Sequence, residues 1–129
     1  MRGRRARDAL LPLAVVLVAL ITLRAAPRQK SATPGIPNFL WVEAKQVCTG
    51  GQPTLADLAW LKRQGVKAVI NLRRPNEEGA PADEAARAKQ LRLRYFNIPV
   101  DPNAPQDAQV DEFIRLLRAP ANRPVFIHC

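Results

Sequence analysis

The last two residues, His128 and Cys129, stand directly after the apolar run Val125-Phe126-Ile127. A cysteine there can work only as its thiolate, and a thiol with a pKa of ~8.5 must be shifted down to be mostly ionised at neutral pH. Backbone N–H groups curling round the sulfur, ahead of a helix N-terminus, would lower it and would also cradle a phosphate dianion. Asp101 follows a second apolar run, Arg94–Val100, and a carboxylic acid there can protonate a leaving oxygen. Asn71-Leu72-Arg73 follow a third, Ala68–Leu72. The plain alternative for Cys129 is one more small buried hydrophobe.

The elements that must position these groups are short. Phe39–Glu43 and Gln46–Thr49 read as the two strands of a hairpin, and Gly50-Gly51-Gln52-Pro53 break the pattern. Thr54, with Asp57 three residues on, suits a helix cap; Leu55, Leu58 and Ala59 share one helical face, and Gly65 is the stop. Ala68–Leu72 reads as a strand buried on both faces. Pro81 suits a first helical turn, with Asp83 and Glu84 favourable to the dipole of a helix reaching about Leu91. Arg94–Val100 is the next strand. Val110, Phe113, Ile114 and Leu117 at i, i+3, i+4, i+7 predict an amphipathic helix closed by Pro120 and Pro124, and Val125–Ile127 is the last strand. Strands alternating with helices predict an α/β fold, a mostly parallel sheet flanked by helices. Active sites of such sheets lie beyond the carboxyl ends of the strands, where Asn71-Leu72-Arg73, Asp101 and Cys129 fall.

Composition bounds the rest. The 129 residues make one domain at most, and 47% hydrophobic with 24% charged residues is ordinary globular usage, not that of a disordered or collagen-like chain. Two cysteines are too few for a disulfide scaffold. The net charge of +9 is lopsided: residues 1–30 hold seven Lys/Arg and one acid, residues 31–129 hold 13 and 10. A nucleic-acid binder should carry its surplus on the folded part, and stacking aromatics are scarce at 5%, so nucleic acid is set aside as a partner. Met1–Asp8 is basic, and Ala9–Leu23 runs 15 residues without a charge, the layout of a signal sequence and short for a span of ~20 residues. No A-x-A cleavage site follows. An uncleaved signal anchor over residues 1–24, a hydrophobic N-terminal helix, is expected first, and a cleaved signal peptide second. Basic residues ahead of it put Met1 in the cytoplasm and the remainder on the extracytoplasmic side of a membrane, or secreted or periplasmic after cleavage. Residues 25–37 read as a linker, and the domain is expected over 38–129.

The run Val125–Cys129 resembles the strand leading into the signature loop of cysteine-dependent phosphatases of the dual-specificity and tyrosine class, His-Cys, five residues, then Arg. Asp101–Gln106 resembles the loop that carries their general acid, 28 residues before Cys129. Thr49–Thr54 together with Gly65–Arg73 is similar to the bacterial dual-specificity-like branch, which includes versions fused to beta-lactamase-like or NAD-kinase domains. The resemblance covers about residues 38–129. It implies a dual-specificity-phosphatase-like fold that hydrolyses a phosphorylated protein or small phosphate ester without a cofactor. Cys129 would be the nucleophile, forming a cysteinyl-phosphate. Asp101 would be general acid and then base toward water. His128 would hold the cysteine and favour its thiolate. Arg73 would line the phosphate pocket or brace its loop, with a plain salt bridge to Glu77 or Glu78 as the alternative. Asp107 and Asp111 read as a helix cap and a solvated helix face. The sequence departs from the pattern at its end: the five loop residues, the Arg and the helix behind them do not follow Cys129. The expectation is therefore a fold with its C-terminal part missing, inactive as it stands, with apolar strands partly bare and poor stability.

Two other functions fit a cysteine after a strand. A rhodanese-like sulfurtransferase would not need Asp101, and a membrane-tethered module could bind phosphate without turnover. One histidine and two distant cysteines do not make a metal ligand set. Cys48 is expected as a buried free thiol, the alternative being a disulfide to Cys129.

Overall fold

Apolar runs form the centre of a five-stranded sheet. The structure, a computed structural model, describes residues 35–75 and 77–129. The expected signal anchor over residues 1–24 lies outside them, and no helix among the described residues is long and apolar enough to cross a membrane. The elements run β1 (Leu40–Glu43), β2 (Val47–Gly50), α1 (Leu55–Arg63), β3 (Ala68–Asn71), α2 (Glu84–Gln90), β4 (Arg94–Asn97), α3 (Asp107–Arg118), a 3-10 turn (Pro120–Asn122) and β5 (Val125–His128). The strand order is β1-β2-β5-β3-β4, with β1 antiparallel to β2 and every other pair parallel.

Every residue of β3 and β5 is buried, which is why both read as unbroken apolar runs rather than as alternation. Successive side chains still point to opposite faces. Cys48, Val69 and Phe126 join Leu58, Trp60 and Leu61 of α1 and Ala88 of α2. Val47, Ala68, Ile70, Val125 and Ile127 join Leu116 of α3. The expected bare strands are thus not found; the large exposed hydrophobic residues among those described are Leu40, Val42 and Val110.

Other expectations are corrected in detail. The buried stripe of α3 centres on Leu116, with Phe113 and Leu117 against it, while Val110 is 49% exposed. The cap of α3 is Gln106, paired with Gln109 in a capping box, so Asp107 is a first-turn residue and not the cap. The helix expected from Pro81 starts at Glu84, because Pro81 instead accepts a turn hydrogen bond from the Glu84 N–H.

Gly35–Pro37, expected as the end of the linker, belong to the fold. The Gly35 N–H donates to Asp57 Oδ1 at 3.0 Å, Ile36 is buried in the core, and the Pro37 carbonyl accepts from the Gly51 N–H at 2.7 Å. Asp57 Oδ2 meanwhile accepts from the Thr54 N–H and hydroxyl at 2.9 and 2.8 Å, completing the box that opens α1. Gly50 lies where this segment crosses: a Cβ there would stand 2.6 Å from Ile36 Cγ2.

Candidate active site

The carboxyl ends of the four parallel strands form a row. Gly50 is in register with His128, His128 with Asn71, and Asn71 with Asn97. Backbone bonding continues one residue further: the Leu72 N–H donates to the His128 carbonyl at 2.9 Å, and the Val100 N–H to the Leu72 carbonyl at 3.0 Å. Cys129, Arg73 and Asp101 are therefore the next residues of three adjacent strand ends. With strands ~4.8 Å apart, Cys129 and Asp101 flank the β3 extension at about 10 Å.

Cys129 is exposed, directly after β5. Asp101 is open to solvent, its side chain 43% accessible. Its Oδ1 accepts from the Asn103 N–H at 2.9 Å and its Oδ2 lies 3.5 Å from Arg74 Nη1, so its ion-pair partner is Arg74.

Arg73 is fastened to its own loop. Its Nε donates to Glu77 Oε2 at 3.0 Å, Nη1 to Gln52 Oε1 at 2.9 Å and Nη2 to the Glu78 carbonyl at 2.5 Å. Of the roles expected for Arg73, the salt bridge to Glu77 is present. The Arg74 backbone N–H, ahead of the Arg73 guanidinium, holds the Glu77 carboxyl below the usual carboxylate range.

His128 sits in the interior, 1% exposed and stacked on Phe126 at 5.6 Å between ring centroids. Its Nε2 lies 2.7 Å from Glu84 Oε1, also buried. Glu84 Oε2 accepts from Gln52 Nε2 at 2.7 Å. The Tyr95 hydroxyl accepts from Asn71 Nδ2 at 2.8 Å. Burial, above all, pushes the Tyr95 phenol up, with the Glu84 carboxylate adding to it. Side chains from β3, β4, β5, α2 and the turn after β2 thus gather behind the strand end that precedes Cys129.

Gln52, Glu84 and Tyr95 were not singled out by sequence as site residues. Glu84 had a signal: it falls on the same helical stripe as Ala88 and Leu91, the stripe that α2 turns to the core. A carboxylate on such a stripe needs a partner.

Cys48 is buried and free; its thiol faces the Val125 carbonyl at 3.6 Å, and burial pushes it up to about 12. It registers with Phe126, three residues short of Cys129. That is roughly 10 Å along the strand, beyond the Cα separation of ~4.4–6.8 Å that a disulfide needs. Among the described residues no group of three His, Cys, Asp or Glu side chains is gathered for a metal ion.

The chain is similar to several known proteins. A "Beta-lactamase hydrolase-like protein" of Agrobacterium fabrum is 35% identical over 88 residues, covering 66% of this chain and 20% of that protein. A Shewanella putrefaciens CN-32 protein of the DUF442 group, named as a phosphatase, superposes with a TM-score of 0.68 at 30% identity, covering 74% of this chain and 60% of that one. The core catalytic domain of the PP-IP phosphatase SIW14 from S. cerevisiae, crystallised with citrate, shares the fold with a TM-score of 0.61 at 19% identity, over 75% of this chain and 59% of that one. The chain thus spans a fifth of the length of the curated relative and three fifths of that of the solved structures. The family model described as "DSP-PTPase phosphatase fused to NAD+ Kinase" matches residues 34–129, and the chain belongs to that family of phosphatase domains.

Proposed function

We propose that the complete protein hydrolyses phosphate monoesters through a cysteinyl-phosphate on Cys129, its phosphate held by the His-Cys, five residues, Arg loop that the resemblance implies. The observation that carries the reading is the placing of an exposed Cys129 and a solvent-open Asp101 on the strand ends either side of β3, with a polar network anchored behind Cys129. In the first step the Cys129 thiolate attacks phosphorus, the P–O bond breaks, and Asp101 gives its proton to the leaving oxygen. In the second, Asp101 takes a proton from water as the water oxygen attacks phosphorus. The S–P bond breaks, releasing inorganic phosphate and restoring the thiolate. No redox change or cofactor enters either step. His128 acts through the backbone it shares with Cys129 and does not touch the substrate. The substrate class is a phosphorylated protein or a small phosphate ester. The apolar stretch of residues 9–23, behind a basic leader, supports a membrane-attached or exported protein, and fractionation of expressing cells reads that directly.

The test is turnover of an aryl phosphate by the full-length protein. Cys129→Ser is expected to abolish it, and Asp101→Asn to lower kcat by about 10²–10⁴-fold. Full activity in Cys129→Ser overturns the reading. Thiosulfate turnover without phosphatase activity would replace it with sulfur transfer.

A further inference from the structure

We infer that Glu84 is a positioning residue of the active site, an acceptor-only hub that fixes the tautomer of His128 and through it the seat of Cys129. The inference deepens the phosphatase reading, and its kinetic part rests on that reading. Every hydrogen bond traced to Glu84 points inward. Arg73 Nη1 donates to Gln52 Oε1, which turns Gln52 Nε2 toward Glu84 Oε2 at 2.7 Å. Asn71 Nδ2 donates to the Tyr95 hydroxyl at 2.8 Å, and the Tyr95 phenol is raised in part by Glu84 beside it. His128 Nε2 is the second partner, at 2.7 Å. A carboxylate can accept from both, because it offers acceptors only.

The direction of this chain decides the histidine's chemistry. Which ring nitrogen carries the proton is set by the bond the other groups make to it. Facing a carboxylate at 2.7 Å, Nε2 must be the protonated nitrogen. Nδ1 is buried and has no partner among the described residues. The ring is clamped between the Phe126 face and Glu84, and the His128 carbonyl is fixed by the Leu72 N–H. Backbone and ring of the residue before the nucleophile are thereby both held.

An amide cannot replace this carboxylate. In Glu84→Gln the new NH2 must face either the Gln52 NH2 or the His128 Nε2–H, a donor against a donor. Exchanging the two residues, Gln52→Glu with Glu84→Gln, restores the match between 52, 84 and 128 at unchanged net charge, and gives up only the Gln52 Nε2 bond to the Pro53 carbonyl. Residue 52 then accepts from Arg73 and from the amide at 84, whose oxygen accepts from His128.

The chain has one histidine, so nitrogen-15 labelling of histidine in the full-length protein gives a single imidazole to read. The expected result is a proton on Nε2 near neutral pH. Glu84→Gln should lose this signature and lower kcat on an aryl phosphate by about tenfold or more, with KM nearly unchanged, as when a catalytic histidine loses its correct tautomer. The exchanged double variant should recover both. An unprotonated Nε2 in the wild type overturns the inference. So does a folded Glu84→Gln with tautomer and kcat unchanged, or a folded exchange variant that recovers neither. If a variant fails to fold, the wild-type spectrum still decides. Absence of wild-type turnover would strike the phosphatase reading alone, since the spectrum needs no substrate.

Discussion

Cys48 and Cys129 carry the same side chain in opposite settings. Cys129 meets solvent at a strand end, whereas Cys48 is shut in the sheet with its thiol pushed by burial from 9.0 to about 12. Between those values the unfolded chain releases the Cys48 proton and the folded chain keeps it. The unfolded state then binds fewer protons, so stability is full below pH 9.0 and falls as pH rises toward about 12. Tyr95, raised above its ordinary 10.0, acts in the same direction. Denaturant melts across this window should therefore show a shallower alkaline loss for Cys48→Ala than for the wild type, with the Tyr95 contribution remaining. An identical slope would contradict the burial argument. At this scale the sequence disclosed those residues whose place follows from a strand end: Cys129 and Asp101 are legible because apolar runs stop just before them. For Glu84 the sequence shows a helix-dipole residue, since only the tertiary approach of α2 to β5 sets it against His128. For Arg73 it leaves a pocket lining, a brace on the pocket's loop and a salt bridge to Glu77 or Glu78 open, because a long side chain reaches all three.

Among the elements, the segment Gly35–Pro37 and the Gly50–Thr54 turn depend on one another. Asp57 ties Gly35 to the start of α1, while Gly50 leaves room for Ile36. A Cβ at position 50 would press on Ile36 Cγ2 at 2.6 Å, so Gly50→Ala should lose about 1–3 kcal/mol through overpacking. Ile36→Ala should lose about 2–5 kcal/mol through a cavity in the core. The two are not independent: with Ile36 trimmed, the added methyl at 50 has space, and the double variant should be more stable than the sum of the single losses allows. Thermal unfolding of the four proteins completes the cycle, and strict additivity would contradict the contact. The Gly-Gly-Gln-Pro-Thr stretch was recognisable as a pattern, yet its cause was hidden, because the segment over it is rich in Pro and Ala and has no periodicity. The α3 stripe shows the opposite error. Its 3.6-residue period was legible, but which neighbour of Phe113 and Leu117 turns fully inward, Leu116 rather than Val110, is set by packing on Ile70 and Ile127.

For the molecule as a whole, period and punctuation carried most of the architecture. Runs buried on both faces, separated by amphipathic helices, leave few arrangements other than a parallel sheet with helices on both sides. The edge hairpin β1–β2 extends that sheet by placing β2 beside β5. This order is what brings Gly50, His128, Asn71 and Asn97 into one row and sets Cys129, Arg73 and Asp101 just beyond it. The double burial of β3 and β5 is legible in their apolar runs; that α1, α2 and α3 cover both faces among the described residues is not, because only three-dimensional packing decides how their apolar residues fill them. The central claim is that this geometry makes Cys129 the covalent carrier of the phosphoryl group. It is tested most directly by quenching the full-length protein in acid during turnover of an aryl phosphate and locating the modification by peptide mass spectrometry. One phosphoryl group on the peptide containing Cys129, absent from Cys129→Ser and longer-lived in Asp101→Asn, is the predicted result. Steady turnover with Cys129 unmodified and Cys129→Ser still active would contradict the account.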